Sequence, residues 1–120
     1  MRRKISAVAA VLFFLYATAV LAEERFGVTV YPGAKYDADS SDFLKKSGIA
    51  KEAATFRTND SVGKVVDFYK SQQGFKNLSI TKEGGMFTKN NVDVTIQNPW
   101  MNMATGKMIS DTLISIVKRP

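Results

Sequence analysis

Methionine is the residue type with the most distinctive spacing in this chain. Met101, Met103 and Met108 follow one another closely, beside Trp100, the only tryptophan, and Met86 precedes them. A thioether sulfur is a soft ligand that selects Cu(I), but methionine also fills irregular apolar gaps and forms adaptable contact surfaces. The spacing therefore leaves three interpretations open: a Cu(I) site made by Met101, Met103 and Met108, core filling, and a surface that contacts a partner.

Catalytic chemistry is limited by the absence of both cysteine and histidine from the sequence. Their absence removes the usual nucleophile–base pairs and nearly all zinc and haem ligation. Carboxylates, Lys, Tyr, Ser and Thr remain, and no spacing pairs two of them in the way that glycoside hydrolysis requires of two carboxylates. We therefore expect no catalytic residue and no cofactor. A small envelope enzyme without His or Cys is the alternative.

The N-terminal residues are typical of a secretory signal peptide. Arg2, Arg3 and Lys4 precede a long apolar run, which closes with the small residue Ala22. This layout predicts cleavage after Ala22, a mature chain over residues 23–120 without a membrane anchor, and a periplasmic or secreted location.

Charge argues against nucleic acid as a partner. The chain has 17 Lys and Arg against 11 Asp and Glu, and three of the basic residues lie in residues 1–22, which leaves fourteen against eleven, a net charge of +3. The remaining basic residues are scattered rather than gathered in a run, so nucleic-acid binding is not expected. The length of residues 23–120 suits one domain.

One stretch organises the predicted fold. Residues 53–58 alternate as a short strand and stop at Asn59, Asp60 and Ser61, any of which can cap a helix. The helix predicted over residues 62–73 has one apolar stripe, formed at helical spacing by Val62, Val65, Val66 and Tyr69.

The remaining elements predict an antiparallel sheet. Strand patterns cover residues 26–31, 78–81, 86–88, 92–97 and 112–117, with turns at residues 32–33, 83–85 and 90–91. A short helix over residues 39–47, capped by Asp39, Ser40 or Ser41, is expected to bury Phe43 and Leu44. The predicted fold class is α+β: a single antiparallel sheet of about five or six strands, with one main helix packed on one face and a second short helix near an end.

Several of these segments resemble a group of small exported bacterial proteins of unknown function. The similarity spans a YPGA turn (residues 31–34), the residues Phe43-Leu44-Lys45, an FxTxDS strand-to-helix cap (residues 56–61), a VxxFY helix (residues 65–69) and a C-terminal DTLISI strand (residues 111–116). The resemblance implies a bacterial envelope or extracellular setting. It implies no catalytic or ligand-binding residue.

Residues 100–109 form the segment that we expect to be functional. They lie in a connection between the last two predicted strands that is longer than a normal hairpin loop, and long loops in compact domains are often functional. Trp100 either caps the sheet or anchors a contact. The expected function is an exported, non-catalytic interaction module for an unknown envelope or extracellular protein, in an oligomeric state that the sequence leaves open. Its expected contact surfaces are the helix-free face of the sheet and this segment, through Trp100, Met101, Met103, Lys107 and Met108.

Overall fold

The computed structural model describes residues 22–120, so the predicted signal peptide lies outside the described residues except for Ala22. Six strands form one antiparallel sheet, and two further strand pairs form small separate sheets. The elements in chain order are β1 (Glu24–Arg25), β2 (Val28–Thr29), β3 (Lys35–Tyr36), α1 (Ala38–Lys46), β4 (Glu52–Thr58), α2 (Val62–Lys70), β5 (Lys76–Ile80), β6 (Gly84–Lys89), β7 (Val92–Gln97), β8 (Trp100–Asn102), β9 (Lys107–Ile109) and β10 (Thr112–Lys118).

The main sheet has the strand order β3-β4-β10-β7-β6-β5. The last strand, β10, lies at the centre and pairs along its whole length with β4, from Thr112 opposite Thr58 to Lys118 opposite Glu52. Its other side pairs with β7. The structure thus confirms the α+β class and shows a six-stranded antiparallel sheet.

Helix α2 covers one face of this sheet, which we call the α2 face. Ser61 caps the helix by accepting a hydrogen bond from the amide of Lys64, so one of the three predicted caps is confirmed. The buried residues of the helix are those of the predicted apolar stripe, and they pack on alternate residues of β4, β6, β7 and β10, among them Phe56, Phe87 and Ile114. The helix ends at Lys70, three residues earlier than predicted.

Two glycines bring β6 close to its neighbours. A Cβ on Gly84 would lie 2.3 Å from the carbonyl oxygen of Ile96, and one on Gly85 would lie 3.0 Å from Cγ2 of Val66 on α2. The prediction of a turn at residues 83–85 was therefore wrong at both glycines, which belong to the strand. Their function is close packing rather than chain reversal.

Helix α1 lies beside β4, where the short strand β3 leaves the edge unpaired. Asp37, rather than Asp39, Ser40 or Ser41, caps it by accepting from the amide of Ser40. Its buried residue is Ser41, whose hydroxyl accepts a hydrogen bond from the amide of Thr55 and lies 3.1 Å from the Thr55 hydroxyl.

The contact between Ser41 and Thr55 corrects two expectations. Because Thr55 alternates with Ala54 and Phe56, its side chain lies on the face opposite α2, so that face is not helix-free at β4. In addition, Phe43 is not buried, since 38% of its surface is exposed.

The N-terminal residues form a separate hairpin instead of the strand predicted over residues 26–31. Phe26 and Gly27 both have positive φ angles, 56° and 82°, as a two-residue type I′ turn requires. Strands β1 and β2 pair on either side of this turn. Val28 and Val30 still reach the core on the α2 face.

Candidate binding groove

The methionine-rich segment is a β-hairpin rather than a loop. β8 and β9 pair antiparallel, with Met101 opposite Met108 and Asn102 opposite Lys107. The side-chain oxygen of Asn102 accepts hydrogen bonds from the amides of Ala104 and Thr105 at 2.9 and 3.2 Å. These bonds hold the four-residue turn, and Gly106 completes it with a φ of 73°.

Trp100 lies inside the protein at the base of this hairpin. Only 2% of its surface is exposed, and its indole Nε1 donates a hydrogen bond of 2.8 Å to Oδ1 of Asp111. Of the two roles that the sequence left open for Trp100, the structure therefore supports packing on the sheet. As a contact residue it would be inaccessible.

Asp111 connects Trp100 to Arg57 on β4. Oδ2 of Asp111 accepts from Nε of Arg57 at 2.9 Å and from Nη2 at 2.8 Å, and Cζ of Arg57 lies 5.3 Å from the centre of the Trp100 ring. The Asp111 hydrogen bond raises the pKa of Arg57, against the lowering effect of burial; the charges of Asp111 and Asp37 raise it further. We call Trp100, Asp111 and Arg57 the clamp, because they attach the hairpin to the sheet.

The three methionines of the hairpin are accessible, in contrast to Trp100. Met101 is 50% exposed, Met103 60% and Met108 58%. Methionine is among the residue types most often buried. Core filling, one of the three interpretations of the spacing, therefore does not account for these side chains.

A groove separates the hairpin from α1 on the face opposite α2. Its volume is about 210 Å³, and its lining includes Leu113 and Ser115 on the sheet, Phe43 and Leu44 on α1, and Met101 and Met103 on the hairpin. Leu113 is buried, whereas Phe43 and both methionines are more than a third exposed. The groove therefore presents exposed apolar side chains on both walls, beside the polar residues Asp39, Ser40, Thr55, Gln97 and Asn102, which also line it.

The structure brings together some of the predicted site residues and separates others. Trp100, Met101 and Met103 line the groove, whereas Lys107 and Met108 do not. Sequence reasoning missed the α1 wall, since it placed Phe43 and Leu44 in the core. A signal was present, because Phe43 and Leu44 are the only large apolar residues in an otherwise polar helix, so they do not form the apolar stripe of a core helix.

A second cavity, of about 510 Å³, is larger but strongly polar. Its lining includes Asp37, Arg57, Asp60 and Asp111, and Arg57 pairs with two of these carboxylates. The third, Asp60, accepts a 2.6 Å hydrogen bond from the hydroxyl of Tyr31, which raises the pKa of Tyr31 to about 12. Since Arg57 and these three carboxylates are engaged with neighbours, this cavity is a weaker candidate than the smaller groove, although Lys35 also lines it.

Two absences bear on the class of site. No group of three or more His, Cys, Asp or Glu residues between Ala22 and Pro120 is arranged to hold a metal ion. Across the same part of the chain, no helix has the length and apolar character needed to cross a membrane.

Comparison of the chain with protein-family models, with curated proteins and with solved structures found no match. The resemblance to small exported bacterial proteins therefore stays a prediction from the sequence.

Proposed function

We propose that this protein is an exported, non-catalytic binding module that holds an apolar side chain of an envelope or extracellular protein in the groove between α1 and the β8–β9 hairpin. The observation that carries the proposal is the groove itself. Exposed side chains of Phe43, Met101 and Met103 stand around a floor that contains the buried Leu113. Export rests on the signal-peptide pattern of residues 1–22.

The size of the groove supports a peptide side chain as its occupant. Sites for drug-sized molecules usually measure about 300–1,000 Å³, whereas this groove measures about 210 Å³. An apolar cavity of about 150 Å³ is enough to bind benzene. One aromatic or branched aliphatic side chain of a partner segment would therefore fill most of the space.

The chemistry of the walls supports recognition by apolar contact rather than catalysis. Methionine side chains are unbranched and adaptable, and they recur at surfaces that accept apolar groups. Phe43, Leu44, Met101, Met103 and Leu113 contribute phenyl, thioether and aliphatic groups, while Asp39, Ser40, Thr55, Gln97, Asn102 and Ser115 add polar groups to the lining. A partner is expected to gain mainly from removing this apolar surface from water.

The proposal can be tested by selecting, from a peptide library, those peptides that bind the chain of residues 23–120. Peptides that bind should share a large apolar residue, and Met101→Asp should weaken their binding at least about tenfold, because a carboxylate would be desolvated in the groove. Met108→Asp is the matched control: Met108 is similarly exposed and lies on the same hairpin, but it does not line the groove.

The control should bind within about twofold of the unsubstituted chain, and both variants should melt within a few degrees of it, since exposed substitutions change stability by about 0.5 kcal/mol or less. Equal weakening by both substitutions, or selected peptides without a shared apolar residue, would rule out the groove as the binding surface.

A further inference from the structure

We propose that the sulfurs of Met101, Met103 and Met108 form a binding site for Cu(I) on the hairpin. This inference does not depend on the proposed function, because it concerns the sulfur atoms of the methionines rather than their apolar surface.

The strand register brings two of the sulfurs together. Met101 and Met108 are directly opposite each other in the β8–β9 pair. Side chains in this relation lie on one face of the ribbon, with Cβ atoms about 4.5–5.5 Å apart. Three rotatable bonds in each methionine then allow both sulfurs to reach one ion.

Met103 is placed to supply the third sulfur. It is the first residue after β8 and lines the groove together with Met101. The hydrogen bonds from Ala104 and Thr105 to Asn102 hold the turn that begins at Met103. The clamp holds the other end of the hairpin, since Trp100 is tied to Asp111. A site between two held ends loses less conformational freedom when it binds an ion.

Accessibility separates these methionines from packing residues. Each of the three is at least half exposed, so an ion can reach the sulfurs without opening the core. The cation Lys107 is opposite Asn102 and alternates with Met108 along β9. It therefore lies on the other face of the ribbon and does not repel an ion bound by the methionines.

The ligand set determines which metal would be bound. Thioethers are soft ligands that prefer Cu(I), whereas imidazole suits zinc and nickel and carboxylates suit hard cations. The chain has no histidine and no cysteine to compete for a soft ion. Three neutral sulfurs leave the charge of the ion unchanged, which favours a monovalent cation over a divalent one.

The only tryptophan provides a built-in probe for the test. Trp100 precedes Met101 and lines the same groove, so an ion held by the methionines should quench its fluorescence. We expect Cu(I), added anaerobically with ascorbate, to quench Trp100 with one equivalent, and Ag(I), which has the same soft character but is stable in air, to do likewise. Zn(II) should have no effect.

Leucine substitutions identify the ligands while keeping the side chains apolar. The triple variant Met101→Leu, Met103→Leu, Met108→Leu should weaken Cu(I) binding at least about a hundredfold in competition with a chromophoric Cu(I) chelator, and Met101→Leu alone about tenfold or more. Met86→Leu is the matched control, because Met86 is 39% exposed on β6 and is not part of the hairpin, and it should bind Cu(I) within about twofold of the unsubstituted chain.

Two results would overturn the Cu(I) proposal: no quenching by Cu(I) or Ag(I), or Cu(I) binding that survives in the triple leucine variant. Peptide binding distinguishes this outcome from a failure of the proposed function. Leucine at the three positions keeps the groove apolar, so selected peptides should still bind the triple variant even though the metal does not.

Discussion

Trp100→Ala is expected to reduce the free energy of unfolding by about 3–5 kcal/mol, the range found when a buried Trp or Phe is truncated. Trp100 is 2% exposed, its Nε1 donates to Asp111 at 2.8 Å, and the guanidinium of Arg57 lies over its ring. The substitution would leave a cavity at the base of the hairpin and remove the donor that holds Oδ1 of Asp111. Both the cavity and the lost hydrogen bond destabilise the fold.

Thermal melting followed by circular dichroism measures this effect. A loss of this size should lower the melting temperature by more than about 10 °C in a domain of this length. Met101→Ala is the control on the neighbouring residue, and it should change stability by only about 0.5 kcal/mol because Met101 is half exposed. If the Trp100→Ala variant has the same melting temperature as the unsubstituted chain, the clamp does not hold the hairpin.

Tyr69→Ala is expected to have a comparable effect, about 3–5 kcal/mol, because Tyr69 joins α2 to two other parts of the fold. It is fully buried, its ring lies 5.8 Å from that of Phe75 and 6.2 Å from that of Phe87, and its hydroxyl donates to the carbonyl of Thr29 at 2.8 Å. Burial raises the pKa of Tyr69, so the phenol keeps the proton that this hydrogen bond needs.

Tyr69→Phe separates the ring from the hydroxyl. It keeps the aromatic packing and removes only the donor to Thr29, so it should cost about 1 kcal/mol. Chemical denaturation of the three proteins gives both free-energy differences. If Tyr69→Phe costs as much as Tyr69→Ala, the hydrogen bond to the N-terminal hairpin, rather than packing on the sheet, would be the main contribution of this residue.

The sequence predicted correctly those parts of the fold in which apolar residues recur with a single regular spacing. The stripe from Val62 to Tyr69 has helical spacing and becomes the buried side of α2. In β7 the side chains alternate strictly, and they are buried and half-buried in turn up to Ile96. Each of these patterns reflects packing against a single neighbour: the sheet in the case of α2, and the helix in the case of β7.

The features that the sequence did not predict depend on contacts between distant segments. Gly84 and Gly85 have the composition of a turn, but they lie in a strand, where glycine allows Ile96 and Val66 to approach closely. The β8–β9 hairpin has strands of only three residues, too short for an alternating pattern, and it depends on Asn102 and the clamp. Similarly, Phe43 lies in the groove wall because Ser41 occupies the buried position of α1.

For the candidate groove, composition identified the wall formed by the hairpin but not the opposite wall formed by α1. Met101 and Met103 stood out by spacing, and they line the groove. Trp100 stood out by its rarity, but residue type alone does not distinguish an anchor for a partner from an anchor for the hairpin. Its acceptor, Asp111, is eleven residues away along the chain, and only the folded geometry shows that the indole is already engaged.

The central claim is that the groove between α1 and the hairpin binds a partner, and site-specific photo-cross-linking in cells that export the protein tests it most directly. A photoreactive residue at Met103 or at Phe43 should give the same cross-linked protein, because the two positions lie on opposite walls of one groove. The same probe at Ile80 is the control: Ile80 is 44% exposed on β5, at the opposite edge of the sheet from β4 and α1, and it should not give that product. Products of equal yield from all three positions, or none from the two groove positions, would contradict the claim.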